Sequence, residues 1–449
     1  MKVSDATARL RPCGLAGVLL VAASCGERAT PPVETAANPS TEELAADLGL
    51  SPIELRRILA LGPLGPPPPD PTNRVADDED AAALGHRLFF DERLSRDGSV
   101  SCATCHDPGR AFTDGRAVSM GLGEGSRNAP TVLDAAQQRW LTWDGRADSL
   151  WAQALQPMER RIEMGGDRTA IVRLVLTDPQ LRAEYESVFG AAPDLDWLNG
   201  LPEAARPVEV EPGQPAAVAW DALSEADRTS INDCFANLGK ALAAYQRRLQ
   251  GGETNLDRFV RGLRNGDEEL LGSLSPEAIA GLRLFVGRGG CIQCHEGPML
   301  SDGEFHLVGA PTPGGGMPTD PGRFLGASIV KADGFNAASR HSDEPEGGAA
   351  LRVSTLAVSP ETWGAFRTPS LRHVGRTAPY MHAGQLPDLE SVIRFYSTLE
   401  GAVQLDHHRE QVLVPLELSE QESRELLAFL KSLEGAGPGE GWGQAPAQR

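Results

Sequence analysis

Two pentapeptides concentrate the reactive side chains of this sequence. Cys102-Ala103-Thr104-Cys105-His106 and Cys291-Ile292-Gln293-Cys294-His295 both spell C-x-x-C-H. Thiols at this spacing can each bond a vinyl group of one haem, and the histidine that follows reaches the iron from the proximal side. Two other chemistries use C-x-x-C. A zinc knuckle needs two such pairs close enough to complete one tetrahedral site, and these lie about 190 residues apart. A thioredoxin-like redox pair needs a βαβ setting, which neither motif has. The spacing implies two covalent haem c groups, with His106 and His295 as proximal ligands.

What fills the opposite face of each iron separates electron transfer from reaction with a small molecule. No histidine occurs between His106 and His295, and the methionines of that interval are Met120, Met158 and Met164. The first haem is expected to keep an open face.

The elements that position these groups are read from capping residues and apolar spacing. A helix is expected near Asp80, with Leu84, Leu88 and Phe89 along one side. Ser224 with Asp227 opens another, carrying Ile231, Phe235, Leu238, Leu242 and Tyr245. Cys234 lies on it and reads as a buried, inert thiol. Ser275-Pro276-Glu277 starts a third, and Ser419 with Glu422 a last one that buries Leu426, Phe429, Leu430 and Leu433. Residues 308–362 read as long loops, and alternating strands are scarce, so the fold class is mainly α. The segments expected are a Pro-rich linker over 26–75, domains over 76–220 and 221–435, and a flexible tail over 436–449.

The start reads as an export signal. Lys2, Arg9 and Arg11 precede the apolar run Gly14–Ala23, which is too short to span a bilayer. Small residues before Cys25 fit a lipoprotein signal, and an ordinary cleaved signal is the alternative. Either way the mature chain is expected in the periplasm or otherwise outside the cytoplasm, with a lipid anchor as its route to a membrane. Of seven cysteines, Cys13 and Cys25 fall in this region. A formal charge of −20 argues against nucleic-acid binding and favours a basic protein partner, such as a small electron-carrying cytochrome.

Several ordered motifs from Leu84 to Leu433 resemble the bacterial dihaem cytochrome c peroxidase and MauG family. They are LFFDERLSRDGSVSCATCHDP around the first C-x-x-C-H, RNAPTV at Arg127–Val132, WDGRADSL at Trp143–Leu150, and RTPSLRHVGRTAPYMHAG at Arg367–Gly384. The resemblance implies two cytochrome c-like domains with a calcium ion between the haems. The calcium would be held by Asn128 and the carbonyls of Thr377 and Pro379, oxygen ligands that suit a hard cation. Taken alone, Asn128 reads as a turn residue before Ala129-Pro130.

The resemblance further implies Trp143 as an electron relay between the haems, Glu163 as the acid/base for peroxide, and Gln153 as its hydrogen-bond partner. Thr142 departs from the aromatic residue that relatives often place before the tryptophan. On the far side of the second haem, family members put Met or Tyr fourteen residues after the His of PY-x-H. That position is Tyr396 here, with Met381 as the competing ligand. Leu389, Val392, Ile393 and Tyr396 share a helix face, which suits a ligand and a core tyrosine equally.

Tyrosine at this position points toward a MauG-like enzyme that draws electrons from a protein substrate. The alternatives are a peroxidase fed by a soluble cytochrome and a non-catalytic electron carrier. Gly289 replaces the surface tryptophan that MauG carries before its second motif. His86, His306 and His407-His408 read as histidines with ordinary solvent or packing roles.

Overall fold

Helices begin where short polar side chains can cap them. The computed structural model describes residues 40–207, 214–405, 410, 412–439 and 441–447. The expected export signal with Cys13 and Cys25, and His407-His408, lie outside them. Within them the chain is mainly helical. No helix there is long and apolar enough to cross a membrane.

The expected linker is the first correction. Residues 41–60 form two helices, α1 (Thr41–Asp47) and α2 (Pro52–Ala60). Each opens with a reciprocal capping box, Ser40 with Glu43 and Ser51 with Glu54. Leu44, Leu55, Ile58 and Leu61 are buried. The S-x-x-E signature was present in the sequence, but the surrounding prolines hid it.

One hydrophobic cluster surrounds α3 (Glu79–Phe90), α4 (Leu150–Glu159) and α5 (Glu225–Gln246), with Leu84, Leu88, Phe89, Trp151, Phe235 and Leu242 at its centre. A second joins α1 and α2 to α6 (Asn255–Asn265), α7 (Pro276–Val286), α9 (Leu389–Thr398) and α10 (Glu420–Lys431). Helix α5, expected to open the segment 221–435, therefore belongs with the first cluster. Leu201, Ala205 and Trp220, which flank the middle of the Pro/Gly-rich stretch expected to divide the chain near 200–215, belong to that same cluster. The passage between clusters falls between Leu249 and Leu256.

Residues 308–362 also depart from the loop reading. They contain α8 (Arg323–Ala332) and a further helix, Gly348–Thr355, and both lack a side-chain cap. Strands β1 (Phe305–His306) and β2 (Phe366–Arg367) pair antiparallel, with Phe305 opposite Arg367. The tail is not free along its length. The Tyr245 hydroxyl donates to the Trp442 carbonyl at 2.8 Å, and His86 stacks on Tyr245 with its Nε2 near the Gln444 carbonyl.

Both clusters repeat one construction, in which the helix before a C-x-x-C-H motif crosses a later helix at a glycine. A Cβ on Gly85 of α3 would strike the Ala241 carbonyl of α5, and one on Gly281 of α7 would strike the Glu425 carbonyl of α10. Gly281→Ala is therefore expected to destabilise the protein by about 1–3 kcal/mol through overpacking. Urea unfolding checks this. A gain of about 1 kcal/mol, the ordinary helix preference of Ala over Gly, would mean that the crossing is not tight.

Candidate haem and peroxide site

Cys102–Cys105 form a single helical turn after α3, and His106 ends it. The His106 Nδ1 lies 3.2 Å from the Phe112 carbonyl, which keeps the proton on Nδ1 and leaves Nε2 as the nitrogen with a lone pair. The second motif repeats this logic, with His295 Nδ1 at 2.9 Å from the Leu300 carbonyl. Burial holds both imidazoles below their ordinary pKa, in the neutral form that a metal ligand requires. All four cysteines are free. Burial pushes the Cys102 and Cys291 thiols up to about 12. A redox-active C-x-x-C instead needs an acidic thiol, so the local environment argues against that chemistry.

The RTPSLR stretch explains how the second turn is aimed. Ser370 donates to the Met299 carbonyl at 2.7 Å, Arg372 Nε to the Pro298 carbonyl at 2.6 Å, and Ser301 to the Thr368 carbonyl at 2.7 Å. These bonds fix the 298–301 loop whose Leu300 carbonyl orients His295. Arg372 is anchored from behind by a bidentate pair with Asp257, both oxygens at 2.8 Å, on α6.

Tyr396 lies on α9. Burial first, and then the nearby Cys291 and Cys294, raise its hydroxyl well above the ordinary value, so the side chain faces the second motif. Its hydroxyl has no hydrogen-bond partner among the described residues. Met381 sits in a left-handed loop conformation with φ 71°. Its neighbour His382 stacks on Phe366 at 3.7 Å, and burial lowers it to about 4.

Trp143 is held from two sides. Its indole N–H donates to the Asn128 carbonyl at 2.9 Å, and its own carbonyl accepts from the Arg367 amide at 2.8 Å. Thr142, before it, adopts φ 69°, unusual for a β-branched residue, with its hydroxyl on Asp144 at 2.7 Å. Around this loop runs a buried ionic network that the sequence did not reveal. Arg127 bridges Asp144 at 2.6 Å and Asp320 at 2.7 Å, and Arg146 reaches Asp144 at 3.3 Å. Arg323 and Arg367 are also buried there and bond only to carbonyls. Four cations against two carboxylates leave an excess of positive charge.

Beside the first motif, Glu163 pairs with Arg160 at 2.9 Å and is about one-third exposed. Behind burial, which raises the Cys102 and Cys105 thiols and lowers His106, its negative charge is a lesser upward influence on all three. Gln153 is half-buried on α4, and no hydrogen bond joins its side chain to the motif or to Glu163. Met158 and Met164 are buried in the first cluster, while Met120 is largely exposed.

Asn128 is stitched to the loop that carries Thr377 and Pro379. Its amide donates to the His382 carbonyl at 2.8 Å and its Nδ2 to the Arg116 carbonyl at 2.7 Å. The side-chain oxygen then has no partner among the described residues. His306 is half-buried with both nitrogens at 2.8 Å from carboxylates, Asp302 and Glu410. Burial opposes its charge, but the two acids outweigh it and raise its pKa.

Residues 79–265 match the family described as di-haem cytochrome c peroxidase. The chain is 34% identical over 384 residues to cytochrome-c peroxidase IdrP1 of Denitromonas iodatirespirans, covering 83% of this chain and 86% of that one. It is 33% identical over 353 residues to the methylamine utilization protein MauG of Methylorubrum extorquens, covering 78% and 77%. Among solved structures, a MauG-like protein associated with microbial copper homeostasis superposes with a TM-score of 0.58 at 26% identity, over 85% of this chain and 97% of that one. The diheme peroxidase BthA of Burkholderia thailandensis shares the fold, with a TM-score of 0.58 at 22% identity, over 83% and 91%.

Proposed function

We propose, for a chain that belongs to the di-haem cytochrome c peroxidase family, that it reduces hydrogen peroxide at a haem on Cys102, Cys105 and His106, using electrons from a protein donor that pass through a second haem on Cys291, Cys294 and His295. As a member of that family the chain is an oxidoreductase. The observation that carries the reading is the pair of neutral, carbonyl-anchored histidines, each beside two free thiols. The buried cations fit as well. Arg367 has no acidic partner in hydrogen-bond contact among the described residues, and an uncompensated buried charge is costly, so the carboxylates of haem are suitable counter-ions.

A haem held by Cys102, Cys105 and His106 would supply the redox chemistry for peroxide reduction. The protein moves the protons. Glu163 would accept the proton of one peroxide oxygen and return it to the other, as a positioned carboxylate can. Gln153 would hold the molecule in place through its side-chain amide, which has no hydrogen-bond partner among the described residues. Each peroxide takes two electrons and two protons and leaves as two waters. Trp143, pinned between Asn128 and Arg367, would carry those electrons one at a time.

Tyr396 is assigned as a residue that would help hold the iron of the second haem, supported by its burial and by the proximity of Cys291 and Cys294. A phenolate stabilises the oxidised iron, whereas methionine favours the reduced one. The assignment therefore favours a MauG-like enzyme that oxidises a protein partner. A calcium ion is assigned to the Asn128 side-chain oxygen with the Thr377 and Pro379 carbonyls. The Asn128 side-chain oxygen, without a partner among the described residues and on a segment bonded to the Thr377–His382 loop, supports it, and chelation is expected to slow peroxide turnover.

The test is to add one equivalent of hydrogen peroxide to the fully oxidised protein. Consumption within seconds and an optical change at both haems, without added reductant, is expected. Tyr396→Met is expected to abolish this unassisted reaction. If the unaltered protein stays inert until one electron is supplied, the MauG-like reading fails. The second reading then takes its place, a peroxidase fed by a soluble cytochrome. It is favoured by the peroxidase name of IdrP1 and by the charge of −20, which attracts basic donors.

A further inference from the structure

Trp143 is not the only indole near the proposed electron route, and its neighbours are treated differently. Trp140 lies three residues earlier and is 7% exposed. The Arg323 guanidinium sits 4.4 Å from its ring centroid and 4.0 Å from that of Phe305, sandwiched between the two. Cations also lie over Trp151 (Lys240 at 5.8 Å) and Trp220 (Arg168 at 5.1 Å). Those two cations are cancelled by contacting acids, Lys240 by Asp343 at 2.7 Å and Arg168 by Glu159 at 2.6 Å. Arg323 has no such contact: it donates to the Gly145 carbonyl at 2.8 Å and the Asp144 carbonyl at 3.3 Å, and among the described residues no carboxylate touches it, although Asp144 and Glu304 act on it from farther away. The Asp144 carboxylate nearby is engaged by Arg127 and Arg146.

Trp143 differs at the ring itself. Among the described residues no cation lies over its ring, and its N–H donates to the Asn128 carbonyl. Loss of one electron leaves an indole positively charged and its N–H more acidic. A carbonyl acceptor eases that change, and a neighbouring cation in a buried, water-poor setting opposes it.

We propose that Arg323 is a positioning residue for electron transfer, a fixed positive charge that keeps Trp140 from being oxidised and so confines the oxidising equivalent to Trp143. The inference rests on the relay reading of Trp143. In electron terms, Trp143 gives one electron toward the peroxide side and regains one from the donor side. Trp140, three residues earlier in the chain, would otherwise compete for the oxidising equivalent. Its oxidised ring would then be consumed irreversibly by oxygen addition.

The experiment treats the haem-loaded protein with excess hydrogen peroxide in the absence of donor and maps oxygen adducts on each tryptophan by peptide mass spectrometry. In Arg323→Gln, adducts on Trp140 are expected to rise roughly tenfold over the unaltered protein. Arg323→Lys, which keeps the charge, is expected to stay near the unaltered level. Unchanged Trp140 adducts in a folded Arg323→Gln protein, or a rise in Arg323→Lys equal to that in the Gln variant, would overturn the proposal. The unaltered protein gives a check that needs no variant. A heavier adduct load on Trp140 than on Trp143 also overturns it. The relay reading fails on a separate result, namely Trp143→Phe delivering electrons from the donor as fast as before.

Discussion

Glu163→Gln is expected to slow peroxide consumption by about 10²–10⁴-fold while leaving haem attachment and the resting optical spectrum unchanged. Glutamine matches the shape of the side chain and keeps a hydrogen-bond acceptor, but it cannot take up the proton that must move between the peroxide oxygens. The residue is well placed for this test. It is close enough to the first motif for its charge to act on Cys102, Cys105 and His106, yet it is partly exposed, and among the described residues its carboxylate pairs with Arg160 at 2.9 Å. Substitution should therefore disturb chemistry more than folding. Stopped-flow mixing with peroxide reads the rate directly. A variant within about threefold of the unaltered rate would remove Glu163 from the proton path, since an acid/base group contributes far more than that.

The second large effect is expected in stability. Asp257 and Arg372 each have a side chain only 2% exposed and form a bidentate pair. Asp257→Asn leaves the guanidinium buried against a neutral partner, at a cost of about 3–5 kcal/mol. The loss should also reach the second haem site. Arg372 holds the Pro298 carbonyl, and the same loop supplies the Leu300 carbonyl that orients His295.

The pH dependence has a definite sign. Burial alone would raise the Asp257 carboxyl, but hydrogen bonding and charge from Arg372 outweigh it and hold the group below its ordinary value. A carboxyl depressed in the folded state contributes stability that is complete above the unfolded value of about 3.9 and is lost as pH falls through the folded one. The stability gap between the unaltered protein and Asp257→Asn should be constant at neutral pH and close only below about pH 4. Urea midpoints at several pH values measure it. A gap that narrowed between pH 7 and 5 would point to a different titrating group.

The two C-x-x-C-H motifs, the helical character and the family were legible without a structure. They depend on local chemistry, because thiols three residues apart and a histidine beside them share one turn wherever the chain folds. Caps such as Ser224 and Ser419 are equally local, and both open the expected helices. The errors arose where proline and glycine content stood in for structure. Residues 41–60 looked like linker although Ser40-Glu43 and Ser51-Glu54 spell capping boxes, and the stretch near 200–215 looked like a boundary although α5 packs with the first cluster.

Tertiary structure alone decided the electrostatics between the motifs. Arg127 and Asp144, Asp320 and Arg323, and Arg367 come from three stretches of the chain far apart in sequence, and nothing in their local sequence distinguishes them from surface charges. Only the fold buries them together, pairs Arg127 with two acids and leaves Arg323 against Trp140. The same holds for Asp257, whose partner lies 115 residues away. Local chemistry fixes what a segment can bind. The energy of a charge depends on which distant groups exclude water from it, and that information exists only once the chain has folded.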